Sequence, residues 1–252
     1  LTASSFVRST GSDADADVET VCRAPLRLLL VISRPRGTGN VGYWSVAYGL
    51  WSELTRLPYV AISVLRPPTF DALERQLDEA VRNGTPYTAV HFDGHGAVMN
   101  PFGAGSRGYL LFDTPGDVDP EPIDGSTIGR TLSANGVLHF SMNACRSADS
   151  RGGDRHLRAR LDLAVGQPSI VDEVLAEGVA SCIGMREEIY PGTAARFFGA
   201  FYPALFGGCS AGDAARIARL RLRKDPLAAE TLRNDIAPVE DWSTPVVGER
   251  SV

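Results

Sequence analysis

Val90-His91-Phe92-Asp93-Gly94-His95-Gly96 and Phe140-Ser141-Met142-Asn143-Ala144-Cys145-Arg146-Ser147 are the two stretches that decide how this chain is organised. Each opens in an apolar run, Tyr87 to Phe92 and Gly136 to Met142, of the kind that fills a strand buried on both faces. Each then passes into small and polar residues that mark the strand's end.

The pattern continues on both sides. Leu28 to Ile32 is a continuous apolar run followed by the turn signal Arg34-Pro-Arg-Gly-Thr-Gly-Asn40, so it predicts a buried strand and a loop. Tyr43 to Leu54 has helical spacing, and Val60 to Leu65 reads as a second strand. Thr69 to Asn83 is amphipathic: Phe70, Leu73, Leu77, Ala80 and Val81 share a face, and Gly84 stops the helix. Gly108 to Phe112 predicts a hairpin arm, and Ser126 to Ala134 a helix closed by Asn135-Gly136. Helices follow over Ser169 to Glu177, Thr193 to Phe206 and Ala211 to Arg223, with a strand at Val179 to Met185. Ser210 and Asp213 have capping-box spacing for the last helix. Strands alternating with helices predict an α/β fold, with a mostly parallel central sheet covered by helices on both faces.

Composition narrows the function classes. The chain has 252 residues, 44% hydrophobic and 22% charged, with a net charge of -5, which suits one large domain. Residues 1–24 read as a mobile polar leader or linker and 25–252 as the domain. A mildly acidic balance gives no electrostatic case for direct nucleic-acid binding. Apolar runs such as Leu28 to Ile32 are too short to cross a membrane, and Leu1 to Val18 has no signal-peptide character. A start at Leu1 rather than Met predicts a piece of something longer. Cys22, Cys145, Cys182 and Cys209 are widely spaced with no CxxC pair, which argues against a zinc knuckle or a disulfide framework and predicts a reducing, cytoplasmic setting. Cys182 and Cys209 sit in apolar segments and read as buried small hydrophobes.

In an open α/β sheet, sites form beyond the carboxyl ends of the strands. His95 and Cys145 each lie just past such an end, so the fold class puts them on one edge of the sheet; strand order decides whether they are neighbours. An imidazole beside a thiol can stabilise the thiolate, which then attacks a carbonyl carbon. The oxyanion that develops needs N–H donors, and those of Gly96 and Cys145 suit the role. No metal or cofactor is required. Alternation along extended chain sets Asn143 beside Cys145 and Asp93 beside His95. Asn143 would line the substrate pocket, and Asp93 would orient the imidazole or line the same pocket.

The competing readings are plain. A cysteine after a strand is more often an inert core residue than a nucleophile. His91 and His95 are four apart, but on a strand end rather than a helix, with no ligand cluster to complete a metal set. His91 and His139 lie inside strands and read as structural, hydrogen-bonded residues; His156 reads as solvated. Gly37-Thr-Gly39 lacks the remainder of any phosphate-loop pattern.

His91-Phe-Asp-Gly-His-Gly96 and Met142-Asn-Ala-Cys-Arg-Ser147 resemble the His and Cys motifs of CHAT domains, caspase-like cysteine proteases of clan CD. Leu29 to Pro35 resembles the family's first strand, Gly178 to Met185 its strand after the cysteine, Ala194 to Tyr202 the following helix, and Asp241 to Val246 the domain end. The resemblance runs from about Pro25 to Val247. It implies a caspase-like fold and peptide-bond hydrolysis of a protein substrate, with Cys145 as nucleophile and His95 as base. It also implies a regulatory sensor module in cis or in trans and a role in bacterial defence or signalling. In several clan members an Asp two before the cysteine selects a basic substrate residue; here that position is Asn143. Caspases select Asp with arginines, one of them from the loop after the first strand, where Arg34 and Arg36 lie here; solvated loop arginines are the alternative. A catalytically inactive interaction module and another thiol acyl-transfer enzyme remain open. The segment Arg151 to Asp162, within 146–167, stands where caspases carry a cleavable linker, so self-cleavage and an ordinary solvated loop are both open.

Overall fold

The computed structural model describes residues 26–35, 43–99, 107–116, 119–144, 169–185, 191–224 and 245–250. The expectations for the leader at 1–24, the Gly37-Thr-Gly39 turn, Cys22, Arg36, Cys145, His156, the 146–167 segment and residues 241–244 fall outside the described residues.

Six strands form the main sheet in the order β2-β1-β3-β7-β8-β9: β1 (Leu26–Ile32), β2 (Val60–Val64), β3 (Ala89–Asp93), β7 (His139–Asn143), β8 (Ser181–Met185) and β9 (Pro245–Glu249). All neighbours are parallel except β9, which runs antiparallel to β8. A second, antiparallel sheet is built from β4 (His95–Met99), β5 (Arg107–Phe112) and β6 (Glu121–Asp124). The expected α/β architecture holds.

Alternation along each central strand feeds two cores. Leu29, Val31, Val90, Phe92, Phe140 and Met142 face one side, with Phe70, Leu73 and Leu77 of α2 (Phe70–Arg82), Ile128 and Leu132 of α3 (Gly125–Ala134), and Val171 and Val174 of α4 (Ile170–Ala176). Leu28, Leu30, Ala89, Ile183 and Met185 face the other. They pack with α1 (Tyr43–Leu54), α5 (Pro191–Phe206) and α6 (Ala211–Lys224) through Leu50, Leu54, Phe197, Phe201 and Ala214. A residue every second position therefore serves each helical layer, which is why Leu28 to Ile32 of β1 reads as an unbroken apolar run.

Helix ends follow their local chemistry. The Thr69 hydroxyl caps α2 by accepting from the Ala72 N–H, and Gly84, at φ 66°, lets the chain turn away after Asn83. Asp124 caps α3, and Ser169 with Asp172 forms a reciprocal capping box on α4. At α6 the Ser210 hydroxyl accepts from the Asp213 N–H at 3.0 Å, while Glu249 of β9 accepts from the Ala211 N–H at 2.6 Å. Arg219 donates to the Pro245 carbonyl, so α6 holds both ends of the closing strand.

β4, β6 and β9 carry no strand signal in the sequence. These are short, and they hold Gly, Pro and charged residues in place of an apolar run, so tertiary pairing rather than intrinsic pattern makes them strands. Cys182 is fully buried as expected, and its thiol is pushed well up by burial. Cys209 is only half-buried, at the turn between α5 and α6. Among the described residues no helix is long and apolar enough to cross a membrane.

Candidate active site

β3 and β7 are adjacent and parallel, with Asp93 and Asn143 as register partners at their carboxyl ends. The next cross-strand bond is also formed: the Gly94 N–H donates to the Asn143 carbonyl at 3.2 Å. His95 begins β4, so the chain turns from the large sheet into the small one within the single residue Gly94. There the backbone is crowded. A β-carbon on Gly94 would lie 2.5 Å and 2.6 Å from Cε1 and Cζ of the Phe92 ring and 2.9 Å from the Ser33 carbonyl oxygen. Only glycine fits that approach.

Asp93 is buried, 1% exposed. Arg34 Nη2 donates to its Oδ1 at 2.7 Å, and Asn143 Nδ2 donates to the same oxygen at 2.8 Å. Oδ2 of Asp93 and Nε of Arg34 are sealed from water with no hydrogen-bond partner. Burial pushes the Asp93 carboxyl up, against the opposing pull of Arg34 and of the hydrogen bonds from Asn143 and Arg34. Arg34 is thus no solvated loop arginine: its side chain is 18% exposed and ion-paired to Asp93.

His95 is half-buried, and its Nε2 is sealed with no hydrogen-bond partner. Burial lowers its proton affinity, and the Arg34 charge lowers it further. The neutral imidazole is therefore the favoured form near neutral pH. Asp93 directs its bonded oxygen at Arg34 and Asn143, and among the described residues it makes no hydrogen bond to the His95 ring.

His91 and His139 are structural, as their place inside strands implied. His91 Nδ1 lies 3.0 Å from the Tyr202 hydroxyl, its ring meets Phe198 edge-on, and burial drives its pKa down to about 3. His139 Nδ1 lies 2.8 Å from the Ser181 hydroxyl.

Ser33 is a part of this site that sequence reasoning missed. Its N–H donates to the Asp93 carbonyl at 3.0 Å. Its hydroxyl sits 2.9 Å from both the Leu111 carbonyl and the Asp113 carboxylate. It thereby joins β1, the end of β3 and the β5 end of the hairpin that carries His95. The signal available was a fully buried-looking serine closing the Leu28 to Ile32 run.

No curated protein matches the sequence. Among solved structures, a secreted C11 cysteine protease from Bacteroides thetaiotaomicron, in complex with an irreversible peptide inhibitor, is similar in fold at 14% identity and a TM-score of 0.52; the match covers 89% of this chain and 66% of that one. Caspase-1 from Spodoptera frugiperda matches at 9% identity and a TM-score of 0.44, over 96% of each chain. The family model of the CHAT domain matches residues 46–246, most of the sequence. With its mostly parallel six-stranded sheet, its helices on both faces and a fold similar to that of the C11 cysteine protease, this chain belongs to the CHAT domain family.

Proposed function

We propose that this chain is a cysteine endopeptidase acting through Cys145 and His95 on a partner protein. What carries the reading is the adjacency of β3 and β7. His95 follows Asp93 by two residues and Cys145 follows Asn143 by two, and Asp93 and Asn143 are hydrogen-bonded register partners. Two residues of extended chain reach about 7 Å, so both reactive groups arise from one cross-strand pair.

His95, held neutral, takes the Cys145 thiol proton. The Arg34 charge that disfavours the imidazolium also favours a thiolate. The sulfur attacks the scissile carbonyl carbon, and the N–H groups of Gly96 and Cys145 receive the oxyanion. Collapse of that intermediate expels the amine, which takes its proton from His95. Water, deprotonated by the same ring, then hydrolyses the thioester and frees the acid and the thiol. Asn143, Arg34 and Arg36 bind the substrate, while Asp93 holds Asn143 and Arg34 in place. The carboxylate of Asp93 is matched by Arg34, which leaves no free negative charge there to select a basic residue. A sensor module, fused or separate, controls the activity in the cytoplasm of a bacterium defending itself.

The test is the alkylation rate of Cys145 by iodoacetamide as a function of pH, resolved from the other cysteines by peptide mass spectrometry. The expected result is a rate at pH 6 above that of free cysteine, abolished as an excess by His95→Ala. A Cys145 no faster than free cysteine, in a folded chain, refutes the dyad and leaves a non-catalytic interaction module.

A further inference from the structure

We propose that a groove along α2, walled by Arg27 of β1, Arg66 after β2 and Tyr87 before β3, binds a polyphosphate group. The groove has a volume of about 340 Å³ and is walled by Arg27, Arg66 and Arg75, with Gln76, Glu79 and Tyr87 between them. This volume lies in the range of small-molecule sites. Three arginines against one glutamate make a local positive excess on a chain whose net charge is -5.

The three cations have no carboxylate partner among the described residues. Elsewhere on the surface Arg56, Arg130 and Arg216 are each paired with a nearby acid. Arg27 is held by packing rather than by charge: its guanidinium lies 5.1 Å from the centre of the Tyr87 ring, and its Nε has no hydrogen-bond partner. Tyr87 is 4% exposed, and Gln76 Nε2 donates to its hydroxyl at 2.8 Å, so the stacking platform is fixed before any ligand arrives. Arg66 uses one nitrogen on its neighbour's carbonyl, Leu65, at 2.9 Å, and Arg75 stands on the exposed side of α2.

Guanidinium groups bind phosphate oxygens through paired N–H donors. A single carboxylate would satisfy one arginine and leave the other two without a partner. A chain of two or three phosphates carries enough charge and enough oxygens for all three arginines. The source is either inorganic polyphosphate or the phosphate tail of a nucleotide. The site is independent of the peptidase reading, since it shares no residue with the Asp93 cluster.

Isothermal titration calorimetry on the whole chain tests this, with tripolyphosphate, ATP and citrate as the injected probes. The expected result is one-to-one binding of tripolyphosphate that weakens as salt rises, with citrate weaker. Arg66→Met combined with Arg75→Met, two exposed positions, should weaken it by about tenfold or more, while Arg216→Met leaves it unchanged. ATP binding more tightly than tripolyphosphate identifies a nucleotide as the source; equal affinity identifies inorganic polyphosphate. Absence of heat with both phosphates, citrate binding as tightly as tripolyphosphate, or undiminished binding by the double variant overturns the proposal.

Discussion

Gly94→Ala should destabilise the fold by about 1–3 kcal/mol, the usual cost of forcing an extra methyl into a filled core. The added β-carbon would meet two Phe92 ring atoms at 2.5 Å and 2.6 Å and the Ser33 carbonyl oxygen at 2.9 Å. Ordinary carbon contacts lie roughly 1 Å further out. Neither neighbour can step aside cheaply. Phe92 is 1% exposed and its ring centre lies 5.0 Å from that of Phe112. Ser33 is pinned by its N–H to Asp93 and by its hydroxyl beside Leu111 and Asp113. The strain therefore passes into the β3–β4 corner and displaces His95. Urea unfolding monitored by tryptophan fluorescence measures the first effect, and the Cys145 alkylation profile the second. Gly136→Ala is the contrast: that glycine has φ 71° and open space around its β-position, so its cost of about 1 kcal/mol is conformational and leaves the alkylation profile alone. A Gly94→Ala chain within about 0.5 kcal/mol of the parent would refute the close approach.

The remaining predictions concern charge. His91 has a folded pKa of about 3 against an ordinary 6.5, so below pH 6.5 the unfolded chain takes up a proton that the native chain refuses. Stability should fall as pH drops from 6.5 toward 3, by at most about 1.4 kcal/mol per pH unit from this group; urea midpoints across that window should flatten when a non-titrating residue replaces His91. Arg34→Met removes the cation facing Asp93, so the carboxyl, already raised by burial, should titrate still higher in a carbon-13 NMR titration. Stability of that variant should then decline as pH rises from the unfolded Asp value through the native one, and an unmoved Asp93 titration would contradict the pairing. Arg107 donates from Nε to Glu173 at 2.6 Å, and Glu173 is buried with its second oxygen unpartnered. Arg107→Met should cost about 1–2 kcal/mol, discounted because the arginine is partly solvated, and adding Glu173→Gln should recover part of it in a double-mutant cycle.

Much of the fold was legible because the central strands announce themselves. Leu28 to Ile32 is apolar at every position because β1 feeds two helical layers, and Tyr87 to Phe92 and Val137 to Met142 are predominantly apolar, broken only by Thr88, His91, His139 and Ser141. The helices were legible where a cap and a stop bracket the amphipathic face, as Thr69 and Gly84 do around α2. Of the small sheet only β5 was legible, as the hairpin arm Gly108 to Phe112. His95-Gly96-Ala97-Val98-Met99 carries no strand period and is extended because β5 pairs with it. At the site, residue identity named His95, Asp93 and Asn143, but only strand order brings Asp93 against Asn143. The Arg34–Asp93 pair was beyond reach, because an arginine two residues past a strand is equally suited to solvent. The role of Ser33 depends on three partners, the most distant 80 positions away in sequence, a contact that spacing cannot reveal.

The closing strand β9 has an implication for biosynthesis. It pairs with β8 across a register of Ser181 with Glu249, and every residue of β8 is buried. Until residues 245–249 have been synthesised, the emerging polypeptide carries that row of backbone donors and acceptors bare beside an apolar surface, a template for association with other nascent copies. Truncation ahead of Pro245 should therefore yield inclusion bodies rather than a merely weakened monomer.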